Sequence, residues 1–427
     1  MEKKNVFVLG LDKFNLEKLK SIDGADECDF QQLFTYDEAH GGRRYPVPDM
    51  MRMARERLAQ YPKEIDGVIG LWDYPTSLMA PILNHEFTGR PDNLAPLFKC
   101  EHKYWSRIEQ REVIPDLIPD FCRFDPFDEN PLATITLDYP FWVKPIKSFG
   151  SYLAFLVRSD AEFQAAVENM REGISHLQAG FEHLMSHIEI PSEIGNKGFA
   201  IAESCISTDW QCTVEGYVHE GEFHVHGVVD SYCETEYSYF SRYQYPSALP
   251  QDVRERMAHI SRQVLNHLDF DNNAFNIEFY WDRKDGSLKL LEINPRVSQS
   301  HAELFHMVDG APNLQITTRL ALGEDPRFVR SRGKYPIAAK FFLRHLGGGV
   351  VASIPDKELV RTIERDIPGS VIQIQVTHGQ RLEQLPFQDS YSSVLALLYL
   401  GGRSRKDLEE KYDQCVKLLE IKVDPIS

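Results

Sequence analysis

Two glutamates, an asparagine and an arginine stand in a pattern that could hold a hard cation. The stretch Ala274–Arg296 reads AFNIEFYWDRKDGSLKLLEINPR. Both of its ends alternate with the period of two expected of strands. Phe275, Ile277, Phe279 and Trp281 share one face, and Asn276 and Glu278 share the other. In the second strand Leu291 and Ile293 oppose Glu292 and Asn294. A loop at Lys284–Gly286, with Gly286 in the left-handed conformation, closes the pair as a hairpin. That register sets Glu278 directly across from Glu292, with Cβ atoms about 4.5–5.5 Å apart. Opposed carboxylates repel, so a cation should sit between them. Glu278, Glu292 and Asn294 offer only oxygen ligands, which suits Mg²⁺, with Mn²⁺ as an alternative. Arg296 adds a cation suited to bidentate contact with phosphate or carboxylate. A solvated edge hairpin is the plainer reading of a Glu pair, but the apolar opposite face argues against it.

Two further stretches add to this. Trp142–Ser151, WVKPIKSFGS, puts Lys144 at the end of a strand and follows it with Ser148, Gly150 and Ser151. Small residues let backbone N–H groups approach phosphate oxygens, and lysine supplies a point charge. Alone, this equally fits an ordinary hairpin. Ile201–Ile206, IAESCI, sets Glu203 among small and apolar residues on a strand, where a carboxylate could accept from an adenine amino group.

Asn5–Gly10 and Ile65–Gly70 read as buried strands around a helix at Met50–Gln60, a β-α-β order that implies a parallel sheet. A helix is expected from about Lys99 to Arg111 and another over 161–187. Strands are expected at Phe141–Lys144, with Tyr152–Val157 as partner, and at Phe199–Cys205, Cys212–His219 and Glu222–Asp230. Glu234–Tyr245 reads as an irregular loop able to order over a ligand. Gln251–Leu268 reads as an amphipathic helix. From about Lys334 a further α/β unit follows, with a turn at Gly347–Gly349 and a last helix near Lys406–Leu419. The fold class is α/β and multidomain. His183 and His187 have helical metal spacing, but without HEXXH they read as surface residues. His224 and His226 read as hydrogen-bonded sheet residues.

A chain of 427 residues exceeds a single core, so two or three domains are expected. A net charge of −17 argues against a nucleic-acid partner. Seven cysteines without a CxxC imply reduced thiols in a cytoplasm. No apolar run approaches the roughly 20 residues of a membrane helix, and the run after the charged start is too short for a signal peptide.

The order of these pieces resembles the ATP-grasp superfamily, in its biotin-carboxylase and L-amino-acid-ligase branch: Lys103, then VKP with a Ser/Gly loop, then Glu203, then Glu278 and Glu292-x-Asn294-x-Arg296. The resemblance implies a Rossmann-like domain at 1–100, an ATP-grasp domain at 101–330 with a mobile lid at about 138–206, and a biotin-carboxylase-C-like domain at 331–427. It implies ATP and Mg²⁺ as cofactors. Lys103 and Lys144 would meet the phosphates or the base, and Ser148, Gly150 and Ser151 would form a phosphate flap. Glu203 and the Ile206 backbone would hold adenine, with Gln211 near the ribose. Glu278, Glu292 and Asn294 would bind the metal, and Arg296 would stabilise the transferring phosphoryl group. Arg242, Ser298, Ser300 and His301 would border the substrate. The implied activity joins a carboxylate to an amine through an acyl phosphate, with small-molecule partners and a homodimer left open. A carboxylase or carbamoyl-phosphate-type enzyme, and a non-catalytic nucleotide-binding regulator, remain the alternatives.

Overall fold

The computed structural model describes residues 2–40, 46–91, 93–148, 152–195, 200–206, 210–234, 239–385 and 392–425. The apolar strand β1 (Lys4–Leu11) is buried along nearly its whole length, as a strand covered on both faces must be. It pairs in parallel with β2 (Cys28–Thr35) and β3 (Gly67–Gly70). The helices α1 (Lys13–Leu19), α2 (Tyr36–His40) and α3 (Val47–Ala59) connect them. At Gly70 the chain passes so close to α4 (Thr76–Thr88) that a Cβ would lie 2.5 Å from the Thr76 carbonyl oxygen. The loop between β3 and α4 carries Asp73 at the C-terminal end of the parallel strands, where α/β sheets present ligand sites.

The helix expected over 99–111 is two helices, α5 (Leu94–Glu101) and α6 (Lys103–Val113). They break at His102, whose Nδ1 accepts the Trp105 N–H at 3.1 Å and so caps α6. Pro96 lies in the first turn of α5, where its missing N–H costs nothing.

A four-stranded antiparallel sheet follows, built from β4 (Phe121–Phe124), β5 (Phe141–Pro145), β6 (Phe155–Val157) and β7 (Ala200–Ser204) in the order β4-β7-β5-β6. The partner strand expected from Tyr152 begins only at Phe155. Phe163, Val167 and Met170 of α7 (Asp160–Met185) form one core with Phe141 and Val143 of β5. His183 in the last turn of α7 and His187 just beyond it have rings 6.2 Å apart and gather no metal-binding cluster among the described residues.

The largest sheet among the described residues has eight strands. It begins with β8 (Trp210–His219), β9 (Glu222–Glu234), β10 (Tyr239–Tyr245), β11 (Asn273–Trp281) and β12 (Leu288–Asn294). The C-terminal part supplies β13 (Ile337–Leu346), β14 (Val350–Ser353), β15 (Ser370–Ile374), β16 (Ser392–Gly402) and β17 (Lys422–Asp424). The sheet order is β12-β11-β8-β9-β10-β13-β16-β15, and β14 pairs with β17 separately. One sheet thus runs across position 330. In its described part, the segment expected as an irregular loop is a strand: Tyr239–Tyr245 pairs with both β9 and β13. Phe240, Tyr243 and Tyr245 favour a pleated surface, and the polar residues between them hid that signal. Residues 235–238 lie outside the described residues.

The sheet has an apolar and a polar face. Phe275, Ile277 and Phe279 are fully buried in one core with Val253, Met257, Ile260, Val264 and Leu265 of the helix α8 (Gln251–His267). Each such side chain contributes about 1.5–3 kcal/mol by leaving water. The helices α9 (Ala302–Asp309) and α10 (Leu314–Ala321) follow the hairpin, and α11 (Lys357–Asp366) and α12 (Arg405–Leu419) cover β15 and β16. The opposite, polar face of β8, β11 and β12 carries the candidate site.

Candidate active site

Strand register lays the polar residues out in rows. Thr213, Glu278 and Glu292 form one row across β8, β11 and β12, and Glu215, Asn276 and Asn294 form the next. Gln211, opposite Tyr280, begins a third. The expected opposition of Glu278 and Glu292 is therefore present, but the turn does not set it. Gly286 has a φ of +73°, as anticipated, yet pairing beside the turn matches Trp281 with Leu288 and Phe279 with Leu290. Continued without change, that register would face Glu278 with Leu291. A bulge at this point inserts one residue and brings Glu292 opposite Glu278.

Arg107 of α6 holds the bulge. Its guanidinium donates to the Leu290 and Leu291 carbonyl oxygens at 3.2 and 2.6 Å, and through Nε to Glu203 Oε1 at 2.6 Å. Lys144 Nζ donates to Glu203 Oε2 at 2.8 Å. Burial works against a charge on Glu203, but Arg107 and Lys144 outweigh it and hold the carboxyl well below the usual carboxylate range. Both Glu203 oxygens are engaged, so this carboxylate is committed to Arg107 and Lys144. Ser148 is buried near the end of the same loop; Gly150 and Ser151 lie outside the described residues.

The two opposed carboxylates differ. Lys103 Nζ donates to Glu292 Oε1 at 3.2 Å, and Gln211 Nε2 donates to Glu278 Oε2 at 3.1 Å. Burial, and then the facing Glu292 charge, push the Glu278 carboxyl up to about 7. Burial opposes the charge on Glu292 too, but Lys103, with Lys147 and Lys144 farther off, holds it below its ordinary value. One member of the pair therefore keeps its charge and the other lacks a counter-ion, a donor set that fits a divalent cation. Among the described residues no three His, Cys, Asp or Glu side chains gather to hold a metal unaided. Two carboxylates and the Asn294 amide oxygen suit a cation that takes its remaining oxygens from phosphate and water.

This asymmetry has a testable consequence without metal. Unfolded, Glu278 ionises near 4.5; folded, it does so at about 7. Stability is whole below the lower value and is lost as pH rises through the higher one. Glu278→Gln should therefore raise the thermal midpoint of the metal-free protein at pH 7.5 and leave it unchanged at pH 4, measured by differential scanning calorimetry in EDTA. Equal midpoints at pH 7.5 would show that the pair is not strained.

Arg296 meets a partner that sequence reasoning did not name. Its Nη2 donates to Asp73 Oδ2 at 2.6 Å and to Asn294 Oδ1 at 3.3 Å, while its buried Nε has no partner among the described residues. Lys147 stands 3.9 Å from Asp73 and pairs closely with the buried Glu101. Burial would raise the Asp73 carboxyl, but Arg296 and Lys147 bring it well below its usual range. Lys147 lay within the stretch singled out around Lys144; Asp73, 223 residues from Arg296, carried no local signal.

Asp73, Glu278, Arg296, Ser298, Ser300 and His301 line a cavity of about 320 Å³, roofed in part by Trp72, Phe240 and Tyr243. Three of the four expected substrate residues are here. Arg242 is not: it follows the strand alternation away from Tyr243, lies against the Tyr232 ring and donates to Glu409 of α12 at 3.1 Å. His224 and His226 both lie on β9, as expected of sheet residues: His224 stacks on Tyr217, and the buried His226 sets its Nε2 3.5 Å from Glu215.

Residues 137–302 match the family model of the ATP-grasp domain. The carbamoyl phosphate synthase large chain of Myxococcus xanthus (strain DK1622) is 36% identical over 69 residues, which are 16% of this chain and 6% of that one. This chain thus matches only a small part of the length of such relatives. Among solved structures, the L-amino acid ligase from Bacillus licheniformis superposes with a TM-score of 0.74 at 16% identity, covering 100% of both chains. Carboxyaminoimidazole ribonucleotide synthase from Aspergillus clavatus, complexed with ATP, gives 0.66 at 13% identity over 97% of this chain and 98% of that one. These likenesses are of fold.

Proposed function

We propose that this chain is an ATP-dependent carboxylate–amine ligase that releases ADP and phosphate. The opposition of Glu278 and Glu292, with Lys103 on Glu292 and with Glu278 and Arg296 lining one cavity, carries the reading. Glu278, Glu292 and Asn294 would hold Mg²⁺, which when bound neutralises charge on the phosphate oxygens. Lys103 and Lys144 lie on the nucleotide side. Glu203 and Arg107 keep the base-side strand and the acidic hairpin in one frame. Arg296, fixed by Asp73 and lining the cavity, would stabilise the phosphoryl group as a substrate carboxylate oxygen attacks it. The cavity beyond Arg296 would hold the acyl phosphate and the incoming amine. The four-stranded sheet with α7 is the unit we expect to close as a lid, excluding water from the acyl phosphate.

The name of the structural neighbour from Bacillus licheniformis supports an amino acid as the carboxylate. The short match to carbamoyl phosphate synthase keeps a bicarbonate-phosphorylating enzyme as the second reading. All seven cysteines are free, which supports a cytoplasmic setting, and no described helix is long and apolar enough to cross a membrane. The test is a screen of amino acids in pairs with Mg²⁺ and ATP, scoring ADP release and identifying products by mass spectrometry. A pair-dependent amide is expected; ADP release that depends on bicarbonate and needs no amine would favour the second reading.

A further inference from the structure

A buried carboxylate behind the cavity has no role in the scheme above. Glu215, in the middle of β8, has no exposed surface. Its oxygens receive His301 Nδ1 in a short contact, Asn313 Nδ2 at 2.9 Å and the Ser298 backbone N–H at 3.4 Å, and His226 Nε2 lies 3.5 Å away. Burial alone would raise this carboxyl; His226 and His301 bring it down to about 2, so it is ionised. An ionised carboxylate can only accept. His301 therefore carries a proton on Nδ1. The Tyr243 ring meets the imidazole edge-on at 4.9 Å between centroids and fixes its plane. His301 lines the cavity, and no described group bonds its Nε2. In the neutral ring that nitrogen is a bare lone pair facing the space beside Arg296 and Ser300.

Resting on the ligase reading, we propose that His301 is the base that deprotonates the attacking amine, with Glu215 as its positioning residue. An ammonium has no lone pair with which to attack. His301 Nε2 takes one proton from R–NH₃⁺. The freed nitrogen pair forms the C–N bond to the acyl carbon, and the C–O bond to phosphate breaks with its electrons staying on oxygen. The second nitrogen proton leaves with the phosphate as HPO₄²⁻, and the imidazolium returns its proton to water. Rival groups are committed elsewhere. Asp73 is bound by Arg296, and Glu278 faces Glu292. Lys340, brought down to about 7 by burial and by Arg344, stands behind Ser300 and donates to its Oγ at 3.1 Å. The charged and titratable groups facing His301 are thus Glu215, Tyr243 and, across the cavity, Arg296 and Glu278, with His226 and Lys340 one group behind.

Two measurements on the full chain test this. In ¹⁵N-histidine NMR at pH 7.5, with the His301 signals assigned through His301→Gln, a proton on Nδ1 and none on Nε2 is expected. A proton on Nε2 overturns the proposal. The second measurement uses Mg²⁺, ATP and an equimolar mixture of the twenty common amino acids, with and without hydroxylamine. Hydroxylamine is uncharged at neutral pH and traps an acyl phosphate without needing a base. The ratio of amide to hydroxamate should fall about 10²–10⁴-fold in His301→Gln and recover as pH rises and bulk water supplies neutral amine. Glu215→Gln should lower the same ratio in the same direction. An unchanged ratio, with both products falling together, would make the dyad merely structural and leave the ligase reading standing. A wild-type protein that forms no hydroxamate would remove the ligase reading and the base with it.

Discussion

Glu292→Ala should abolish ADP release while leaving the protein folded. Glu292 touches Lys103 and faces Glu278 across the hairpin. Its removal takes away the carboxylate that Lys103 holds ionised and leaves Glu278 as the one carboxylate of the pair. The nucleotide's cation would then lose one of its two charged oxygen ligands. A bound cation stabilises the phosphoryl transition state by several kcal/mol, so turnover should fall roughly 10³-fold or more. Thermal stability should change little, since a repulsive carboxylate pair is removed together with one ion pair. Coupled ADP release and circular dichroism check both halves. A variant with wild-type turnover would contradict the metal assignment; a variant that fails to fold would be replaced by Glu292→Gln, which keeps the shape without the charge.

Arg107→Ala should be the most destabilising single change in this region. Arg107 and Glu203 are both buried, and Arg107 also satisfies the two bulge carbonyls. Removing one partner of a buried ion pair costs about 3–5 kcal/mol, because the other charge is left uncompensated. Glu203 retains Lys144, which offsets part of that cost, while the orphaned Leu290 and Leu291 carbonyl oxygens add to it. The double variant Arg107→Ala with Glu203→Gln should lose less than the sum of the two single changes. Urea unfolding of the three variants measures the coupling. Strict additivity would show that the pair does not act as a unit. Because the bulge sets the opposition of Glu278 and Glu292, Arg107→Ala should also weaken metal–nucleotide binding, although Arg107 is expected to touch neither ligand.

The hairpin was legible because alternation is local: Phe275, Ile277 and Phe279 declare one face and so assign Asn276 and Glu278 to the other. The bulge was not, because its cause is a guanidinium from a helix more than 180 residues earlier. Two errors, the turn taken as setting the register and the absence of a bulge, cancelled to give the right facing pair. Long-range ion pairs were similarly silent. Asp73 follows a short strand in an ordinary loop, and nothing beside it in sequence announces Arg296. Glu215 had a weak signal in the alternation of Gln211, Thr213 and Glu215, overlooked because the adjacent Gly216 and aromatic residues read as simple strand. Arg242 failed for the opposite reason: an assumed loop leaves side-chain direction free, whereas the strand that is present fixes it away from the cavity.

The central claim is that Glu278 and Glu292 grip one cation together with the nucleotide. Crystals grown with Mn²⁺ and a non-hydrolysable ATP analogue would test it through anomalous scattering. The account predicts a peak between the two carboxylates, within ligand distance of both and of the phosphate oxygens. A phosphate-bound Mn²⁺ elsewhere, with Glu278 and Glu292 contacting only protein, would contradict it.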